Sequence, residues 1–308
     1  MGTKFTMINI YNNEPEGYSK IAISTLQQIG HYFDHPTNEP IHAIITRLNS
    51  LINKEFLDRF PHLKFILTAT TGLDHIDQYE CDRKGIRIIS LKGEDNFLSS
   101  IVATAEHTMS LMLALLRNVP AAVNDVHNSN WDRMKFKGHE LKGKNITILG
   151  MGRLGMQIAR LADAFQMTVK GFDTKQIVEY PTSRDLATSL HGSDILSIHL
   201  PYDSSTEHLI SQKQIMEMNP NSYIINTSRG HILKEEDVVA SLINGHLAGV
   251  AVDVIENEYN LHKSPLWEFS QKSSSNVIIT PHIGGCTYES MEATEIFIAQ
   301  QFLKCLHN

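Results

Sequence analysis

Short apolar runs alternate with segments of helical spacing along the first third of the chain. Residues 5–10, 42–46, 64–68 and 86–90 are rich in Ile, Leu, Phe and Thr and read as β-strands. Between the first two, Ile21, Leu26 and Ile29 recur at helical intervals and predict a helix over 18–29. A second set of runs follows at 145–150, 168–173, 194–200, 222–226, 249–254 and 276–280. Most are continuous rather than alternating, the pattern of strands buried on both faces. Helical patterns at 153–165, 212–218 and 235–243 separate several of them. Such alternation of β and α predicts parallel sheets with helices on their faces. Between the two sets, residues 98–119 are apolar on most sides and predict one long buried helix, with Pro120 marking its end. Residues 287–306 return to helical spacing.

A length of 308 residues suits two domains. The expected fold class is α/β: two parallel, doubly wound sheets, the second domain inserted into the first. The boundaries are 1–97 with 286–308 for one domain and 98–285 for the other. A net charge of -7 argues against a general nucleic-acid binder, which needs a basic face. Three cysteines without a CxxC pair indicate neither a disulfide framework nor a zinc knuckle. The longest apolar stretch, 109–116, is too short to span a bilayer, and no basic segment precedes an N-terminal apolar run. The expectation is a cytoplasmic protein with no membrane partner. Met1, Gly2 and Thr6 fit a loose myristoylation pattern, read as chance because the first strand starts at Phe5. The sequons at Asn145 and Asn226 fall in apolar strands and are read the same way.

The sharpest motif is Gly150-Met151-Gly152-Arg153-Leu154-Gly155, a GxGxxG between a predicted strand and a predicted helix. Gly150 permits a tight turn, Gly152 lets backbone approach a pyrophosphate, and Gly155 lets helix and strand pack closely. The next strand ends at Asp173, where a carboxylate accepts the ribose hydroxyls of NAD and repels the extra phosphate of NADP. Lys175 nearby softens that discrimination. Three ionisable residues follow later strand ends: Arg229, Glu258 and His282. Ligands of open parallel sheets bind beyond the carboxyl ends of strands, so all three are expected at the edge that carries the glycine turn. Arg suits a carboxylate held by two parallel hydrogen bonds, and a His beside a Glu suits proton transfer near neutral pH.

Taken together, these stretches resemble the D-isomer-specific 2-hydroxyacid dehydrogenase family. The matching segments are 141–173, His199-Leu200-Pro201, Asn226-Thr227-Ser228-Arg229-Gly230, 249–258 and 280–285, with weaker similarity at 70–77 and 103–108. The resemblance implies a Rossmann NAD-binding domain inserted into a smaller, flavodoxin-like substrate domain. It implies NAD as cofactor, no metal, and a small 2-keto or 2-hydroxy acid as substrate. Arg229 would grip the substrate carboxylate, His282 would be the acid in reduction and the base in oxidation, and Glu258 would hold His282 protonated. Asp253 matches a position near the nicotinamide carboxamide, and His199, Leu200 and Pro201 a loop beside the adenosine. Thr227 and Gly284 are counted with the cofactor contacts, and Thr71, Gly72 and Leu73 with the substrate carboxylate. A homodimer built largely on 98–131 is also implied.

Two local departures matter. Tyr259 stands after Glu258 where the family usually has proline, so a differently shaped loop is expected there, and 91–100 replaces a short Gly-Asn turn that shapes the pocket, so substrate identity does not carry over from the family. The chain ends soon after its last helix, so regulation through a further C-terminal domain is not expected. Two rivals stay open: an NAD(H)-sensing binding protein of the same fold, and a formate dehydrogenase-like enzyme. The second resembles the family but places an amide where Glu258 stands.

Overall fold

The computed structural model describes residues 7–272 and 276–307. Met1, Gly2, Phe5 and Thr6, on which the lipidation pattern and the start of the first strand rest, lie outside the described residues. The chain forms two compact units, one reaching to Ile101 and resuming at Cys286, the other spanning Val102–Gly285. The first boundary falls four residues beyond the expected 97/98 because Leu98 and Ile101 pack into the core of the first unit.

Among the described residues, the first unit holds five parallel strands: β1 (Ile8–Asn12), β2 (Gly30–Phe33), β3 (Ala43–Thr46), β4 (Phe65–Thr68) and β5 (Arg87–Ile89). Their order, β2-β1-β3-β4-β5, is that of the flavodoxin-like doubly wound sheet. Both faces are buried, and alternate residues serve opposite sides. Ala43, Ile45 and Leu67 face one cluster with Leu26 and Phe302, whereas Ile44 and Ile66 face another with Ile52 and Leu57. A fully buried Ile or Leu contributes about 1.5–3 kcal/mol over its exposed form, which is why continuous apolar runs mark these strands. The last helix, Tyr288–His307, belongs here: Ile298, Ala299 and Phe302 are buried in the same core. Its Glu295, also buried, accepts the Ser19 N–H at 2.7 Å and pairs with Arg47.

Strand β2 was not predicted. Its sequence, Gly-His-Tyr-Phe, lacks alternation, and the expected helix over 18–29 ends early, at Lys20–Leu26. Gly30 is required there, because a Cβ would sit 2.0 Å from the Ile8 carbonyl oxygen.

Among the described residues, the second unit holds seven parallel strands: β6 (Asn145–Leu149), β7 (Thr168–Phe172), β8 (Thr182–Ser183), β9 (Ile195–Ile198), β10 (Ser222–Asn226), β11 (Leu247–Val252) and β12 (Val277–Ile279). In the order β12-β11-β10-β9-β6-β7-β8 the chain builds outward from β6, first to one side through β7 and β8 and then to the other through β9, so the strand order reverses at β6. Six of the seven follow the dinucleotide-binding order, with β12 added at one edge.

The single helix expected over 98–119 is three pieces: Asp95–Leu98, Ala103–Leu116 and Val119–His127. The Ser99 and Ser100 hydroxyls bond back to the Asn96 and Phe97 carbonyls and close the first piece. Asn118, at φ 53, breaks the second from the third. Pro120 therefore starts a helix rather than stopping one, since its missing N–H costs nothing in a first turn.

Candidate functional site

The register of the second sheet brings the predicted chemistry to one edge. Leu149, Ile198, Asn226, Val252 and Ile279 pair side by side across β6, β9, β10, β11 and β12. Gly150 follows the first of these, His199 the second, and Arg229, Glu258 and His282 leave the last three shortly beyond the row.

The glycine turn is built as its spacing requires. Gly150 has φ +88, and a Cβ on it would lie 2.6 Å from the His199 carbonyl oxygen. A Cβ on Gly155 would lie 2.0 Å from the Gly150 carbonyl oxygen, so helix Arg153–Ala164 rests directly on the turn. Gly152 instead faces open space and caps that helix without a side-chain acceptor. Gly152 brings no side chain to compete for the first turn, an arrangement that suits a pyrophosphate at the positive end of the helix dipole. Asp173 accepts the Met151 N–H at 2.8 Å on one oxygen and the Lys175 N–H at 2.9 Å on the other. Thr174 Oγ1 also reaches the second oxygen, at 3.5 Å, so the first oxygen is the one that keeps a lone pair for a ribose hydroxyl. The residues present therefore fit NAD.

His199 is held by its Nε2 to Ser197 Oγ at 2.7 Å, while its buried Nδ1 has no hydrogen-bond partner among the described residues. Burial pushes the imidazole down to about 3, so the ring is neutral in the folded protein. The unfolded chain, near 6.5, binds a proton that the folded chain refuses between those two values. Stability is full above about pH 6.5 and is lost as pH falls toward 3, at up to about 1.4 kcal/mol per pH unit from this residue. Chemical denaturation of wild type and His199→Gln across this window should show the shallower slope in the variant; equal slopes would remove the assignment.

Arg229 leaves β10 through a turn wound by Asn226. The Asn226 amide donates to the Arg229 carbonyl at 2.9 Å, and its oxygen accepts from the Ser228 N–H at 3.0 Å and the Ser228 hydroxyl at 2.7 Å. Asn226 is fully buried and committed to this turn. Arg229 Nη1 donates to the Ser228 carbonyl at 2.7 Å, which braces the guanidinium stem. Gly230 allows close approach: a Cβ would sit 2.0 Å from the Ile255 carbonyl carbon. Thr227 pairs with Thr108 at 2.8 Å, oxygen to oxygen, which ties the turn to helix Ala103–Leu116.

His282 Nδ1 meets Glu258 Oε2 at 2.8 Å, with both side chains partly shielded. A carboxylate only accepts, so Nδ1 carries the proton of this bond and Nε2 faces elsewhere. His282 has φ 55, a left-handed conformation that a β-carbon disfavours. Asp253 enforces it. Its carbonyl accepts the His282 N–H at 2.9 Å, and its carboxylate takes the Ile283 and Gly284 N–H groups at 2.9 and 2.7 Å. Thr280 donates to the same carboxylate at 2.5 Å, and His107 Nε2 lies 3.2 Å from it. At 2% exposure, Asp253 is thus first a clamp on the histidine loop, a role its sequence position did not suggest. Gly284 packs against it, a Cβ there falling 3.0 Å from Asp253 Oδ2.

Sequence reasoning gave no role to His107, Thr280 or Asn226, although each lies inside or beside a motif. Leu200 and Pro201 follow His199 out of β9. Thr71, Gly72 and Leu73 lie in the first unit, on the turn after β4, where Thr70 Oγ1 donates to the Gly72 carbonyl at 2.8 Å. Thr71 is exposed and Leu73 is buried. Tyr259, in the place of the usual proline, is exposed. No helix of the described residues is long and apolar enough to cross a membrane.

Residues 109–284 match the family model for the D-isomer specific 2-hydroxyacid dehydrogenase NAD binding domain. A D-3-phosphoglycerate dehydrogenase of Methanocaldococcus jannaschii is 32% identical over 270 residues, covering 86% of this chain and 49% of that protein. The chain therefore spans about half the length of that relative. A glyoxylate reductase of Thermofilum pendens is 33% identical over 274 residues, covering 86% of this chain and 78% of that one. The crystal structure of a D-lactate dehydrogenase from Aquifex aeolicus, complexed with NAD and lactic acid, superposes with a TM-score of 0.81 at 26% identity. It covers 97% of this chain and 95% of that chain.

Proposed function

The chain belongs to the D-isomer-specific 2-hydroxyacid dehydrogenase family, and from that premise we propose that it interconverts a small D-2-hydroxy acid and its 2-keto acid using Arg229, Glu258 and His282. The contact of His282 Nδ1 with Glu258, on the sheet edge that also carries the glycine turn, is the observation that carries this reading.

In this reading the glycine turn and the N-terminus of helix Arg153–Ala164 hold the NAD pyrophosphate, and Asp173 the ribose. His199, Leu200, Pro201 and Thr227 line the cofactor side, with Asp253 and Gly284 nearest the nicotinamide. NAD supplies the carrier that takes hydride from C2 of the hydroxy acid or returns it to the keto acid. Arg229 binds the substrate carboxylate through its planar fork and draws electron density from the neighbouring carbonyl. His282 gives the proton on Nε2 to the carbonyl oxygen in reduction and removes it from the hydroxyl in oxidation. Glu258 accepts the Nδ1 N–H and so fixes the orientation of the ring, leaving Nε2 for the substrate. Thr71, Gly72 and Leu73 keep their assignment to the substrate carboxylate on the family resemblance alone.

The test is NADH consumption against a panel of 2-keto acids. The panel takes glyoxylate, hydroxypyruvate and pyruvate from the names of similar proteins, together with a phosphorylated keto acid. Turnover of at least one supports the reading. Tight NADH binding without turnover of any would favour a sensor, and NAD reduction by formate alone would favour a formate dehydrogenase.

We also propose a homodimer through the helix Val119–His127. Val119, Val123 and Val126 form an exposed apolar stripe on it, and Trp131 beyond it is 90% exposed. Burying such a stripe against a second copy removes apolar surface from water. Light scattering should give about twice the 34.7 kDa chain mass, and Val123→Glu should reduce it to one; a wild-type monomer would remove the proposal.

A further inference from the structure

We infer that Glu235 is a positioning residue for the acid/base pair, a buried carboxylate that holds the segment bearing Glu258 in place; this rests on the role proposed for Glu258. Glu235 opens helix Glu235–Ile243, shortly after the turn that carries Arg229. It is 1% exposed, among the most buried charged groups of the second unit. Its oxygens accept three hydrogen bonds: from the Glu256 N–H at 3.0 Å, the Ser264 hydroxyl at 2.5 Å and the Leu266 N–H at 3.3 Å. All three donors lie within 256–266, and the first is two residues from Glu258. Ser264 is tied in further, since its hydroxyl also caps the helix Pro265–Ser270 by accepting the Trp267 N–H at 3.0 Å.

A carboxylate is costly to bury unless its lone pairs are met, so this one persists because donors converge on it. Its place in the first turn of a helix adds favourable interaction with the helix dipole. The segment it grips otherwise has little regular structure: residues 253–260 leave β11 as turns, followed by a single 3₁₀ turn, Leu261–Lys263. A second clamp lies on the outer side, where His208 pairs with Glu256. Glu235 secures the inner side of the same residue through its backbone. Glu258 is thereby held to the Arg229 side of the sheet by a group that touches neither substrate nor cofactor.

Glu235→Gln keeps the shape but turns an acceptor into an NH₂ group that faces a donor N–H. The segment must then shift, and Glu258 with it, away from His282. The expected result is a loss in kcat of roughly tenfold or more, with KM and NADH affinity changed less than about threefold. The split between kcat and KM is the readout that a merely structural change would not give, because Glu258 acts on the chemical step. Loss of folded protein alone would lower the number of NADH sites in step with the rate and leave kcat per NADH site at the wild-type value. Ser264→Ala removes one donor and should act in the same direction more mildly; it carries the test if Glu235→Gln does not fold.

The deciding experiment is a double-mutant cycle with Glu258→Gln. If Glu235 acts through Glu258, adding Glu235→Gln or Ser264→Ala to Glu258→Gln should cost less than about twofold further. An equal loss in both backgrounds, or wild-type kcat in Glu235→Gln, overturns the inference and leaves the acid/base reading standing. Wild-type rates in Glu258→Gln alone would remove the acid/base reading itself, and this inference with it.

Discussion

Replacing His282 by alanine lowers kcat by about a hundred- to ten-thousandfold, the usual worth of a positioned acid or base, with NADH bound within a few-fold of wild type. The separation of the two effects follows from the fold. The imidazole sits on the loop after β12, whereas the groups assigned to the pyrophosphate and ribose sit on the turn after β6 and at the end of β7. The loop itself should survive the change. Its shape is set by the Asp253 carboxylate, which grips the Ile283 and Gly284 N–H groups rather than the His282 side chain. Alanine at a φ of 55 carries only a modest backbone penalty. Stopped-flow rates and NADH titration on the same preparation check this; wild-type turnover in the variant would refute the acid/base role.

Arg229→Gln lowers kcat/KM by about a hundred- to a thousandfold, within the range expected when one partner of a shielded charge pair is removed. Arg229→Lys recovers only part of the loss, because an ammonium keeps the charge but lacks the fork that matches a carboxylate. The turn should hold its form in both variants. Asn226 fixes it through backbone groups and the Ser228 hydroxyl, and Gly230 seats it against Ile255. Steady-state kinetics with the best keto acid decides, and a loss under fivefold in Arg229→Gln would place the carboxylate elsewhere.

Much of this arrangement is legible in the sequence because buried parallel strands leave unbroken apolar runs. Ser222–Asn226 and Glu235–Ile243 fall where the pattern places them, and the ends of the other five strands expected in the second sheet lie within a few residues. Strand ends also locate the chemistry, since a parallel sheet sends every such end to one edge. What was missed has physical reasons. Strand β2 hides in a short polar run next to a glycine, and β8 is two residues at a sheet edge. The breaks around 99–102 and at Asn118 depend on serine back-bonding and on a left-handed residue, which periodicity does not register. In the sequence Glu235 is only the start of the helical pattern at 235–243, and Asp253 is a cofactor contact implied by resemblance. Only the folded chain shows one gripping 256–266 and the other shaping the histidine loop.

The stereochemistry of the product tests the central claim most directly. Hydroxypyruvate or pyruvate, whose products carry a stereocentre as glycolate does not, should on reduction to completion with NADH yield the D-2-hydroxy acid alone on chiral chromatography. In the reverse direction, NAD and the racemic hydroxy acid should consume only that enantiomer. Formation of the L-acid, or of both in equal amounts, would contradict the account.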